Sequence, residues 1–159
     1  MAGRGRRAAF CLLLALLWLT PAPARAQDPT PAQGGVTWLS YDQAAQLARE
    51  TPRPIMLFFS APWCYLCKKM QRLVFSDPQL AGHLQKQAYA VLVDVTTEPR
   101  LGEIYEIKQV PTTIFLDPGG KPALRLTGYQ NRADLTKALR FVSMGHHHRM
   151  SWEAFSGRP

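Results

Sequence analysis

The chain has 159 residues, of which 47% are apolar and 19% charged, with a formal net charge of +8. That much apolar content builds one compact core but hardly two, so a single folded domain is expected. No stripe of Lys and Arg interleaved with aromatic residues is visible, which argues against nucleic acid as a partner.

Residues 1–26 carry a basic start ("MAGRGRR"), a twelve-residue apolar run ("AAFCLLLALLWL") and a small-residue segment closing on an A-x-A pattern at Ala26. This is the layout of a cleaved export signal, and the run is too short for a membrane-spanning helix, which needs roughly 20 residues. Its removal takes away Cys11 and the four arginines 4, 6, 7 and 25, so the charge falls by four to +4. Only Cys64 and Cys67 then remain, in a compartment where thiols tend to oxidise.

Residues 27–35, "QDPTPAQGG", read as a flexible linker. "VTWL" (36–39) reads as a short edge strand. Ser40 and Gln43 form a capping box that opens a helix through about Arg49, with Ala44, Leu47 and Ala48 on one face. "IMLFF" (55–59) and "AYAVLVDV" (88–95) are near-continuous apolar runs, as expected of central strands covered on both faces. Between them lie two helical stretches. The first places Met70, Leu73 and Val74 toward the core; the second takes Ser76 as N-cap and Pro78 in its first turn. Phe59 belongs to the core by its spacing. A shorter helix follows in 99–107, then two strands, "PTTIFLD" and "PALRLTG", joined antiparallel by the turn "DPGG". Asn131 caps a last helix with Asp134 at N3 and Leu135, Ala138, Leu139 and Val142 on the buried side. The order predicts an α/β fold with a mixed central sheet of about five strands flanked by helices on both faces.

Cys64 and Cys67 fall beyond the carboxyl end of a central strand, where sites of open α/β sheets lie, and at the first turn of a helix. The amides of that turn and the helix dipole stabilise a thiolate; the dipole accounts for about one pKa unit, so a larger effect needs hydrogen bonds to the sulfur from Leu66, Cys67 or the Cys67 thiol. Two other readings stand beside a redox couple. A structural staple closing so short a loop removes little chain entropy. A metal site needs donors beyond two sulfurs, and His146, His147 and His148 are the obvious source, although such a run after a helix reads first as a solvated loop or frayed turn. Trp63 and Tyr65 are candidates to touch substrate, Trp63 equally to shield the cysteine. Asp94 and Glu98, near a strand end, read as solvated loop carboxylates with a proton relay as the alternative.

"WCYLCK" (63–68) after a buried strand, followed by "VPTTIFLD" (110–117), resembles the thioredoxin superfamily over about residues 36–142, with 143–159 as a C-terminal extension. The resemblance implies a thioredoxin-like fold and a thiol:disulfide oxidoreductase. In it Cys64 attacks a substrate disulfide, Cys67 resolves the mixed disulfide, and Pro111 follows Val110 in a cis bond that turns the Val110 backbone toward a substrate strand. No cofactor is implied beyond the redox-active pair itself. The chain is similar to exported single-domain bacterial proteins found with sulfur oxidation and to the periplasmic domain of the membrane thiol-electron transporter. That likeness implies a periplasmic monomer acting on protein disulfides, mainly as a reductant fed by a membrane thiol donor. Two features depart from ordinary thioredoxin. Tyr65 and Leu66 replace Gly-Pro between the cysteines, and Phe58 and the region of Val91 stand where its buried aspartate and partner lysine would align.

Overall fold

The computed structural model describes residues 35–157. Among them the elements run α1 (Tyr41–Glu50), β1 (Ile55–Ser60), α2 (Tyr65–Leu73), α3 (Pro78–Gln87), β2 (Tyr89–Asp94), α4 (Pro99–Ile104), β3 (Thr112–Leu116), β4 (Pro122–Thr127), α5 (Arg132–Ser143) and α6 (Trp152–Ser156). The expected cleaved signal and nearly all of the linker lie outside the described residues.

The sheet order is β2-β1-β3-β4, with β1 parallel to β2 and antiparallel to β3, and β3 antiparallel to β4. The fold class is as expected, with four strands rather than five. Segment 36–39 forms isolated bridges rather than a strand, among them a parallel one from Leu39 to Val91, because α1, capped by Ser40, begins directly after it. β2 is therefore the edge of the four-stranded sheet, not a central strand, and that short bridge shields part of its outer side.

β1 is buried at all six positions, and its alternation feeds two cores. Met56 and Phe58 point to the layer of α2, α3 and α5; Ile55, Leu57 and Phe59 point to the layer of α1 and α4. The predicted capping box at Ser40 and Gln43 forms, and Asn131 caps α5 through the Asp134 amide. At α3 the cap is Asp77, not Ser76. Pro78 takes the first helical position, so the residue immediately before it must be the cap, and Asp77 accepts from the Gln79 and Leu80 amides. Leu73 also departs from expectation. It is 55% exposed, because Cys67, Met70 and Val74 already fill the side of α2 that meets the sheet.

Past α5 the chain turns back. His146–His148 form one 3-10 turn, and Trp152 and Phe155 of α6 pack on Phe141 with ring centroids 5.4 and 5.1 Å away. The histidine run is thus not a solvated loop: His146 stacks on Phe155 at 4.9 Å and His147 meets the Phe141 ring edge at 6.2 Å.

Candidate redox site

β1 ends at Ser60, and a short turn with a Cys64 amide to Ala61 carbonyl bond of 3.0 Å reverses the chain into α2. Cys64 is the N-cap of that helix. Its backbone is extended, and its Sγ accepts the Cys67 amide at 3.1 Å, one of the donors the sequence singled out. Cys64 and Cys67 form a disulfide with Cα atoms 5.3 Å apart. Cys67 is fully buried against Met70 and its neighbours, while Cys64 keeps 5% exposure and is the cysteine less deeply buried.

Around the pair the surface is apolar and open. Trp63 and Tyr65 are 72% and 71% exposed and Leu66 is 42% exposed, flanking a Cys64 that is itself buried. Val110–Pro111 is a cis bond, as the resemblance implied, and leads into β3. The Pro111 carbonyl accepts the Gly128 amide at 2.8 Å, which brings the turn after β4 beside the proline. Gly128 there has φ +85°, a conformation a side chain would strain. Tyr129, next to it, lies under the Lys69 ammonium at 5.2 Å. Sequence reading missed Tyr129. Its only local signal was Gly128 closing a strand, and the contact with Pro111 and α2 is long-range.

Beneath the cysteines Phe58 is fully buried, with ring centroids 4.7 Å from Phe75 and 6.2 Å from Trp38. The position where ordinary thioredoxin places a carboxylate is an aromatic core here, and Val91 belongs to the opposite core. Beside Ala61 and Pro62 a cleft of about 210 Å³ is lined by Lys68 of α2 and Asp94 of β2 together with Ser60 and Gln71. Asp94 ends its strand half-buried, and its Oδ1 accepts from the Thr96 amide at 2.8 Å and the Thr96 hydroxyl at 2.7 Å. Glu98 is exposed. Partial burial, then the charges of Asp94 and Asp42, push its carboxyl above the ordinary glutamate range.

No group of three or more His, Cys, Asp or Glu side chains among the described residues is arranged to hold a metal ion. The histidine run is engaged in aromatic packing at the far end of α5, and both ring nitrogens of His147 are buried without a hydrogen-bond partner.

A family model described as a thioredoxin-like domain matches residues 41–143. The chain belongs to the thioredoxin-like family. The thiol:disulfide interchange protein DsbD of Pectobacterium atrosepticum is 30% identical over 120 residues, 72% of this chain and 21% of that protein. The chain therefore spans about a fifth of that relative's length. The thioredoxin-like protein slr0233 of Synechocystis is 30% identical over 95 residues, 60% of this chain and 87% of that protein. Among solved structures, a thioredoxin from Thermus thermophilus superposes with a TM-score of 0.63 at 28% identity, covering 74% of this chain and 98% of that one.

Proposed function

We propose that this thioredoxin-like domain is an exported thiol:disulfide oxidoreductase that acts on disulfides of partner proteins. The observation that carries the reading is the placement of Cys64. Its sulfur caps α2, accepts the Cys67 amide and is joined to Cys67 in a disulfide, and Cys64 is the less deeply buried of the two residues. The similarity to a thiol:disulfide interchange protein supports the same chemistry.

In the dithiol form, the amide that meets Sγ and the leading end of the helix favour the Cys64 thiolate. That thiolate attacks one sulfur of a partner disulfide; a Cys64–partner bond forms, the partner's bond breaks, and its other sulfur leaves as a thiolate. Cys67 then attacks the Cys64 sulfur, releasing the second partner thiol and closing Cys64–Cys67. Two electrons pass to the partner, and the two protein thiol protons end on its two thiols. With Phe58 occupying the space beneath the pair, the Cys67 proton leaves through water, the departing thiolate or the Asp94 side of the cleft. Trp63, Tyr65, Val110 and Pro111 form the surface on which the partner strand lies, the Val110 backbone offering an edge for strand addition.

The favoured direction is reduction, with the domain working as a periplasmic monomer recharged by a membrane thiol donor. The signal-like start of the sequence supports that placement. Insulin disulfide reduction with dithiothreitol as donor tests activity, and a Cys67→Ser variant is expected to accumulate covalent Cys64–partner adducts. No acceleration and no adducts would refute the reading. Equilibration in glutathione buffers tests direction: a potential near that of a strong oxidant, about −120 mV, would reverse it.

A further inference from the structure

Four of the seven large apolar side chains exposed among the described residues, Trp63, Tyr65, Leu66 and Leu73, fall within the eleven residues 63–73 that lead into and form α2. The core does not use them. At about 100° per residue, Tyr65, Lys69 and Arg72 lie opposite the buried Cys67 and Met70. Leu66 and Leu73 run along one side of that ridge and Lys68 along the other, over about 10 Å of helix. α2 carries three cations and no carboxylate. The Lys69 contact with Tyr129 ties this strip to the turn beside Pro111, so the apolar and cationic surface is continuous with the redox pair. Of the carboxylates nearby, Asp77 caps α3 and meets Arg132 at 3.6 Å, and Asp94, which lines the same cleft as Lys68, accepts from Thr96; among the described residues no salt bridge joins Lys68, Lys69 or Arg72 to a carboxylate. An apolar patch of this kind, rimmed by charge of one sign, marks an interaction surface and selects partners of the opposite sign.

We propose that the outward face of α2 docks a partner polypeptide whose disulfide cysteine is accompanied by a large apolar residue and by Asp or Glu lying along the Lys68–Lys69–Arg72 strip. This rests on the exchange reading and adds a class of client to it.

The test uses the reduced protein and two peptides of identical sequence save for three Asp or three Lys after a Cys-Leu pair, the cysteine carried as a mixed disulfide with 2-mercaptoethanol. Cys64 attacks the peptide sulfur and expels 2-mercaptoethanol; Cys67 then attacks Cys64 and releases the peptide thiol, so the protein's two electrons end on those two thiols. Rates are divided by each protein's own rate with bis(2-hydroxyethyl) disulfide, which is neutral and too small to span the strip. The acidic peptide is expected to react about tenfold faster than the basic one at low salt, with the ratio shrinking at high salt. The substitutions K68Q/K69Q/R72Q together bring the ratio toward one, and K68E/K69E/R72E together invert it. A wild-type ratio near one, or a ratio that survives both sets of substitutions, would overturn the proposal. So would an absence of peptide discrimination combined with binding to phosphatidylglycerol vesicles, which would assign the strip to a lipid surface. A protein inert toward bis(2-hydroxyethyl) disulfide would overturn the exchange reading and this inference with it.

Discussion

At the start of α5 the Asn131 side chain accepts the Asp134 amide at 3.0 Å; at the start of α2 the Cys64 sulfur accepts the Cys67 amide at 3.1 Å. Both capping residues have an extended backbone and accept at nearly the same distance, and their surroundings are opposite. α5 has Asp134 in its first turn, and α1, capped by Ser40, has Asp42, so in both a carboxylate neutralises the positive end of the helix. α2 has no acid there and carries Lys68 one turn on. A capping position that elsewhere only ends a helix is here left electrostatically unfilled, with a sulfur in place of an inert oxygen. The reactivity proposed for Cys64 follows from that difference and needs no buried carboxylate beneath it, which the packing of Phe58 against Phe75 and Trp38 leaves no room for.

The largest expected effect comes from making the caps alike. Cys64→Ser puts an oxygen cap at α2, and insulin reduction should fall to the uncatalysed rate while stability stays within about 1 kcal/mol of the dithiol protein by urea unfolding. Retained turnover would show that the attacking sulfur lies elsewhere. Removing the ordinary cap has the converse signature. Asn131→Ala should cost about 1 kcal/mol of stability and leave the exchange rate unchanged below the melting transition. A smaller effect is expected of Leu66→Glu, which gives the exposed first turn of α2 the carboxylate that α5 has. Alkylation of Cys64 at pH 7 should slow about two- to fivefold, as roughly 0.3 to 1 kcal/mol of dipole and charge interaction implies, and the deficit should shrink in salt. An unchanged rate would break the electrostatic half of the comparison.

The smallest effect lies away from either cap. Glu98 holds its proton more tightly when folded, through burial and then through Asp94 and Asp42. Its raised value favours the fold fully below the ordinary glutamate value of 4.5, and that contribution is lost as pH rises through the folded value. Glu98→Gln should therefore be slightly more stable than wild type at pH 7 and equal to it under acid conditions, read as urea midpoints across the range.

Local chemistry was legible where it is local. Ser40 with Gln43, Asn131 with Asp134, and the "DPGG" turn announce themselves within four residues and form as written. The burial of IMLFF follows from its unbroken apolar run, which only a strand covered on both faces can satisfy. Where two choices were both locally acceptable, the sequence left them open. Ser76 is the expected cap of α3, yet Asp77, an equally good capping residue, directly precedes Pro78 at the first helical position and takes the role. Leu73 lies near the periodicity of the buried side but on its shoulder, and only the finite width of the contact between α2 and the sheet excludes it. The extra strand failed because "VTWL" has strand-like residues but runs directly into the Ser40 cap of α1, which leaves isolated bridges such as Leu39 to Val91 and no ladder. At the site, the dicysteine pair and its helix were readable from spacing, and Pro111 from family resemblance. Tyr129 was not, since its place beside Pro111 and Lys69 depends on three segments meeting.

The decisive measurement is the rate of iodoacetamide reaction at Cys64 in the reduced protein, followed from pH 5 to 9 with mass mapping of the modified sulfur. A thiolate held by the Cys67 amide and the open end of α2 should give a rate already near its plateau at pH 7, with a midpoint below that of an ordinary free thiol at about 8.5. A Cys64 whose rate rises as a free cysteine's does across the whole range would contradict it.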